Sequence, residues 1–125
     1  MKLLLDSHSL IWWASADPTL SDATVELISS PHNEVFVSVV SVWELGLKLA
    51  RGKLRAPDNY LQLCKDNCFA ILPVNLAHAE ATLTLPPVHF DPFDRMLVAQ
   101  CQVEKAILIT RDKVMASYDI QIIPA

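Results

Sequence analysis

The sequence predicts a three-layer α/β/α fold built on a central, mainly parallel sheet of four to five strands. Three observations lead there. Short apolar runs alternate with helix-like segments along the whole chain, the pattern of a parallel sheet covered on both faces. The first run, Leu3-Leu4-Leu5, is apolar throughout, as a buried strand is. Acidic residues close the first run (Asp6) and follow the last long one (Asp112), which places them at the carboxyl ends of strands, where α/β sheets bind ligands.

Taken in order, Lys2 to Leu5 reads as a strand and Ser7 to Ala14 as a helix with Leu10 and Ile11 facing inward, broken at Asp17-Pro18. Ser21 suits the N-cap of a helix over 22–30, stopped by Pro31-His32-Asn33. Glu34 to Ser38 is a second strand. An amphipathic helix follows from Val40 to Ala50 and ends at Gly52. Pro57-Asp58 opens a helix through about Asn67, and Phe69 to Val74 is a third strand. Leu76 to Leu83 is an alanine-rich helix, and Pro86 to Phe90 an irregular loop. Asp91-Pro92 starts a helix through Glu104: Asp91 suits an N-cap and Pro92 the first helical position. Ala106 to Ile109 is the fourth strand, Lys113 to Ser117 one helical turn, and Ile120 to Ile123 an edge strand.

With 125 residues the chain predicts one domain, 1–125, long enough to bury a core unaided. A hydrophobic content of 52% exceeds the usual soluble range and suggests a covered surface, a homodimer contact or a bound protein. No run reaches a membrane span of about 18–20 residues. Three cysteines without a secretory signal predict free thiols and a cytoplasmic protein. Cys64 and Cys68, four apart, read as core thiols on one helix face.

Glu44 and Asp94 fall in the first turns of predicted helices, so four acids, Asp6, Glu44, Asp94 and Asp112, are expected at one sheet edge. Two carboxylates ~5 Å apart repel by about 3 kcal/mol at an effective dielectric of 20, and such a cluster points to a divalent cation and phosphate chemistry. Each acid also has a capping explanation. Asp6 and Asp112 precede helical segments, Asp94 suits the helix dipole, and Ser41-Val42-Trp43-Glu44 matches a capping box. Against capping alone stands the apolar helix of Val40, Trp43 and Leu47, which could carry Glu44 inward.

The net charge of −4 argues against simple electrostatic binding of nucleic acid, yet Lys48, Arg51, Lys53 and Arg55 form a run with no acid that could hold a phosphate backbone. The alternative is a solvated helix end. Only two glycines occur, so neither GxGxxG nor a P-loop exists. His8, His32, His78 and His89 lack zinc spacing, and there is no GxSxG elbow. Trp12, Trp13 and Trp43 read as core or interface.

Several segments resemble a PIN-domain protein of the VapC toxin type, in matching order over nearly the whole chain. They are Leu3-Leu4-Leu5-Asp6-Ser7-His8 with Trp12-Trp13; Ser38-Val39-Val40-Ser41-Val42-Trp43-Glu44-Leu45; Lys48 and Gly52-Lys53-Leu54; His89 through Gln100, containing Asp91-Pro92-Phe93-Asp94-Arg95; and Thr110-Arg111-Asp112. The resemblance implies a metal-dependent ribonuclease acting as the toxin of a toxin–antitoxin pair. Asp6 and Asp94 would be primary ligands of one or two Mg²⁺ or Mn²⁺ ions. Glu44 and Asp112 would bind directly or through water, and Thr110 would orient Asp112. Arg95 or Arg111 could hold flanking phosphates. It further implies an RNA substrate, a small antitoxin partner and a homodimer. Ser7 stands where threonine is more common. A non-catalytic module whose acids only cap helices remains the rival reading. A receiver-like signalling domain is disfavoured because the third strand ends at Asn75 without an acid.

Overall fold

The structure, a computed structural model, describes residues 1–125. Its elements are β1 (Lys2–Leu5), α1 (Ser7–Ala14), α2 (Asp22–Ser29), β2 (Glu34–Ser38), α3 (Val39–Ala50), α4 (Tyr60–Asp66), β3 (Ala70–Leu72), α5 (Leu76–Thr82), α6 (Pro92–Glu104), β4 (Ile107–Thr110), a 3₁₀ turn (Lys113–Ser117) and β5 (Ile122–Pro124). All five strands are parallel, in the order β3-β2-β1-β4-β5. The fold class predicted from the sequence is therefore the one observed.

The strand order fixes where a site can lie. From β1 the chain winds to β2 and β3 on one side, then crosses over to β4 and β5 on the other. The connections leaving β1 and β4 thus diverge, and a crevice opens outside their carboxyl ends. Leu5 is in register with Ile109, and the Asp6 amide donates to the Ile109 carbonyl (3.2 Å), holding that edge together.

The two-residue period of the strands divides the core. Leu3, Leu5, Val35, Val37 and Ile109 pack with Leu10, Leu45 and Cys64 on one face; Leu4 and Leu108 pack with Leu97, Val98 and Cys101 of α6 on the other. Leu3, Leu4 and Leu5 are fully buried, and such burial is worth ~1.5–3 kcal/mol per side chain. No helix is long and apolar enough to cross a membrane.

Several local expectations need correction. α3 begins at Val39 and is capped by Ser38, whose hydroxyl accepts from the Val40 amide (3.1 Å). Glu44 consequently lies in the second turn, and the predicted capping box of Ser41 and Glu44 does not form. A nearer cap at the very end of β2 pre-empts it. Trp43 and Leu47 point outward, with Trp43 62% exposed. α4 starts at Tyr60 rather than at Pro57 because residues 57–59 make a turn first. β3 is shorter than predicted, and β4 and β5 begin one and two residues later. Cys64 is buried, but Cys68 lies beyond α4, exposed and in the left-handed region (φ 61°), so the two thiols share no helix face.

Candidate active site

At the crevice, Asp6, Ser7, His8, Glu44, Lys48, Asp91, Asp94 and Asp112 line a cleft of about 200 Å³ that has no apolar lining. All four predicted acids are there, joined by Asp91. Asp6 follows β1 directly, Glu44 reaches in from α3, Asp91 and Asp94 stand at the amino end of α6, and Asp112 follows β4.

Capping and ligand roles prove compatible. Asp6 caps α1 through Oδ1, which accepts from the Ser9 amide (2.8 Å). Asp91 Oδ1 accepts from the amides of Phe93 (2.9 Å) and Asp94 (3.1 Å). Asp112 Oδ1 accepts from the Val114 amide (3.0 Å), and its own amide donates to the buried Thr110 hydroxyl (3.1 Å). Each aspartate commits one oxygen to a helix start and keeps Oδ2 unbonded within the protein. The amide dipoles at these starts also offset part of the clustered negative charge.

Glu44 is buried. Its Oε1 accepts from the Ser7 hydroxyl, and Oε2 pairs with Lys48 (3.3 Å), one helical turn on. Burial and then the neighbouring Asp91 charge push Asp94 up to about 6; Glu44 adds to the rise, while a hydrogen bond with His89 opposes it. His89 Nε2 lies 3.4 Å from Asp94, and its Nδ1 is 2.6 Å from the Tyr118 hydroxyl. His89 lacks zinc spacing and Ser7 stands where threonine is more common, so neither signals a role in the cleft from residue type alone. His89 lay inside the most informative motif, five residues before Asp94, whereas nothing in the sequence pairs Ser7 with Glu44.

The predicted cations divide into two sets. Lys48 lines the cleft, and Arg51, Lys53 and Arg55 are exposed just beyond α3. Arg95 and Arg111, expected as phosphate contacts, are committed to the fold instead. Arg95 donates to the carbonyls of Thr82, Leu85, Pro86 and His89 and to the Tyr118 hydroxyl (2.9–3.4 Å), clamping the loop that carries His89. Arg111 donates to the carbonyls of Thr19 and Ala125 and lies over the Trp12 ring (4.8 Å).

The donor set fits a hard cation. No three acid, histidine or cysteine groups converge into a ready-made cage. Mg²⁺ does not require one, because it commonly takes one or two carboxylates and keeps several waters. The oxygen-rich lining suits such an ion, and no cysteine enters it. The largest cavity, about 500 Å³, lies at the opposite, amino-terminal edge of the sheet among Trp13, Asn33, Glu34, Cys68 and Phe69. With a single carboxylate, that cavity lacks the chemistry of the smaller cleft.

The PIN-domain family model matches residues 3–121, almost the whole chain. The chain belongs to the PIN-domain family. The fold of this PIN domain is also similar to solved structures at low identity. VapBC2 from Rickettsia felis bound to a DNA fragment from its promoter aligns at TM-score 0.77 and 13% identity, covering 100% of this chain and 99% of that one. DNA-bound VapBC from Salmonella typhimurium aligns at 0.70 and 16%, covering 99% and 98%. FitAcB from Neisseria gonorrhoeae aligns at 0.63 and 19%, covering 96% and 95%. A search of curated protein sequences gives no match.

Proposed function

We propose that this PIN domain is a divalent-metal-dependent endoribonuclease that acts as the toxin of a toxin–antitoxin pair. The observation that carries this reading is the cleft of five acids at the crossover point of a PIN fold, where three aspartates each retain a free oxygen. Asp6 and Asp94 would hold the principal Mg²⁺ or Mn²⁺ ion, with Glu44 and Asp112 binding directly or through water. A cation bound there supplies an activated water and offsets charge on the scissile phosphodiester. The chain does the positioning. Ser7 fixes the rotamer of Glu44, Thr110 fixes the turn that presents Asp112, and the Asp91 cap aims the first turn of α6. Lys48 offers a cation to a phosphate at the cleft wall, and Arg51, Lys53 and Arg55 can hold the strand further out. No side chain is needed as nucleophile. The similarity to toxin–antitoxin assemblies supports a small protein antitoxin as partner.

Asp6→Asn and Asp94→Asn are expected to lower Mg²⁺-dependent RNA cleavage by ~10²–10³-fold each while leaving the circular-dichroism spectrum unchanged. Wild-type cleavage rates from both variants in a metal-replete assay would overturn the reading. One feature favours a non-catalytic alternative: Lys48 and His89 already pair with Glu44 and Asp94. Calorimetric titration with Mg²⁺ and Mn²⁺ separates the two, since a purely capping cluster would take up neither ion.

A further inference from the structure

α1 carries two rings on one face, one helical turn apart. His8 is exposed and lines the acidic cleft. Trp12 is half-buried and follows four residues on, its ring centroid 5.9 Å from that of His8 and the planes inclined at 38°. The Arg111 guanidinium lies over the Trp12 ring (4.8 Å) and is tethered to the carbonyls of Thr19 and Ala125, so the indole is held in place. At Trp12 a further cavity of about 400 Å³ opens between the end of α1 and the start of α2. Trp12, Trp13, Leu20 and Val25 give it apolar walls, and Asp17 and Asp22 add carboxylates. His8 and Trp12 thus connect the acidic cleft to a cavity of different chemistry, aromatic with a few acceptors. The cleavage chemistry proposed above uses none of these groups.

We infer that this cavity receives one unstacked nucleobase of a single-stranded RNA, seated against Trp12 beside the cleft that holds the scissile phosphate. The inference rests on the nuclease reading for the phosphate and adds a site for the base. Proteins hold splayed-out bases by stacking them on aromatic side chains, and RNA is read by sequence where its bases are unpaired. Four residues of helix rise only ~6 Å, so His8 and Trp12 lie within the reach of a single nucleotide whose phosphate is in the cleft. Asp17 gives the cavity a preference. Its Oδ1 accepts from the Thr19 amide (2.8 Å), and hydrogen bonds from Thr19 hold the carboxyl below its usual range. Ionised, it can only accept, and its lone pairs exceed those that Thr19 uses. Guanine offers two adjacent N–H donors, at N1 and N2, along its Watson–Crick edge. Adenine and cytosine offer one amino group there, and uracil sets a carbonyl on each side of its single N–H. A carboxylate rim therefore favours guanine and disfavours uracil.

Binding is measured in chelator, where metal-dependent cleavage is silent, by fluorescence anisotropy of end-labelled single-stranded pentaribonucleotides. The probes are UUGUU, UUUUU and the same strand with an abasic central sugar. The full chain should bind UUGUU about tenfold more tightly than either of the others. Trp12→Leu should abolish the advantage of UUGUU over the abasic strand, and Trp12→Phe, which keeps a ring, should restore most of it. Asp17→Asn keeps an oxygen for Thr19 and puts N–H donors at the rim. It should erase the preference for UUGUU over UUUUU while both still bind more tightly than the abasic strand. Equal binding of the three strands by the wild-type chain, an equal loss for all three in Trp12→Leu, or an unchanged base preference in Asp17→Asn would overturn the inference; the second result would mark Trp12 as structural only. The two readings fail separately. The expected differences in a chain that cleaves no RNA with Mg²⁺ would uphold the base site and remove the nuclease reading, whereas Mg²⁺-dependent cleavage by a chain that binds the three strands alike would do the reverse.

Discussion

The two edges of the sheet are made from the same strands and could hardly differ more. At the carboxyl edge, five acids line the cleft, Ser7 and Thr110 hydrogen-bond to Glu44 and Asp112, and Arg95 and Arg111 clamp the neighbouring backbone. At the amino edge the larger cavity is half apolar and carries one carboxylate. Strand direction is the cause. α1 and the 3₁₀ turn start directly after β1 and β4, and α6 runs back to the amino end of β4, so the amides at all three starts lie at that edge. Those amides make clustered carboxylates tolerable before any cation arrives. The other edge receives helix ends, which offer carbonyls and no such support. Cavity size is accordingly a poor guide to chemistry in this molecule, and backbone polarity a good one.

The carboxyl edge should suffer most from loss of its arginine clamp. Arg95→Ala leaves carbonyls of residues 82, 85, 86 and 89 without their charged donor and should destabilise the fold by about 2–4 kcal/mol in denaturant titration, with no RNA present. Unchanged stability together with weaker RNA binding would instead restore Arg95 to the phosphate-contact role its sequence position suggested.

Ser7→Ala tests the finer wiring. The hydroxyl donates to buried Glu44 and makes no other hydrogen bond, so its loss frees Glu44 to turn toward Lys48. Supporting residues of this kind typically cost 10–100-fold in metal affinity or activity. Ser7→Thr, which keeps the hydroxyl, should restore most of it. A Ser7→Ala protein with wild-type metal affinity would show that Lys48 alone positions the glutamate.

What was legible in advance follows the same division. The fold could be read because its determinants are local: an apolar run for each strand, a side-chain cap for every helix but α4, and an alternation that admits one sheet type. Asp6 and Asp112 could be placed because each is a cap, and Asp94 because it follows the Asp91 cap in the first turn of α6; caps are written beside the element they start. Glu44 was expected in the cleft for a partly mistaken reason, since the Ser38 cap moved the helix start and put it in the second turn. The arginines misled because sequence records their charge but not their partners. Arg111 reaches Thr19 and Ala125 across the fold, and no spacing rule anticipates that. Ser7 and Tyr118 act through contacts between distant segments and were invisible for the same reason, whereas His89 stood only five residues before Asp94.

The acidity of Asp94 gives a smaller and more specific effect. The folded chain holds this proton up to about pH 6, whereas the unfolded chain releases it near 3.8. Folding therefore takes up a proton between these values. Stability from this group is fully present below pH 3.8 and is lost as the pH rises through 6. In chelator, Asp94→Asn should remove that part of the pH dependence. It should make the metal-free protein more stable at neutral pH by on the order of 1–2 kcal/mol, allowing for screening at a cleft open to water. A variant no more stable than wild type at pH 7 would mean that His89 already neutralises the carboxylate.

At the amino edge, Cys68 offers the smallest effect and the cleanest control. It lines the large cavity, is exposed, and holds φ at 61°, a left-handed conformation that disfavours any side chain. Glycine removes that strain but adds freedom to the unfolded chain, so the two terms nearly offset. Cys68→Gly should therefore stabilise the protein by about 0.5 kcal/mol in denaturant titration and leave metal binding and cleavage unchanged. If it lowered cleavage instead, the amino edge would take part in the reaction, and the assignment of all chemistry to the edge where the helices begin would fail.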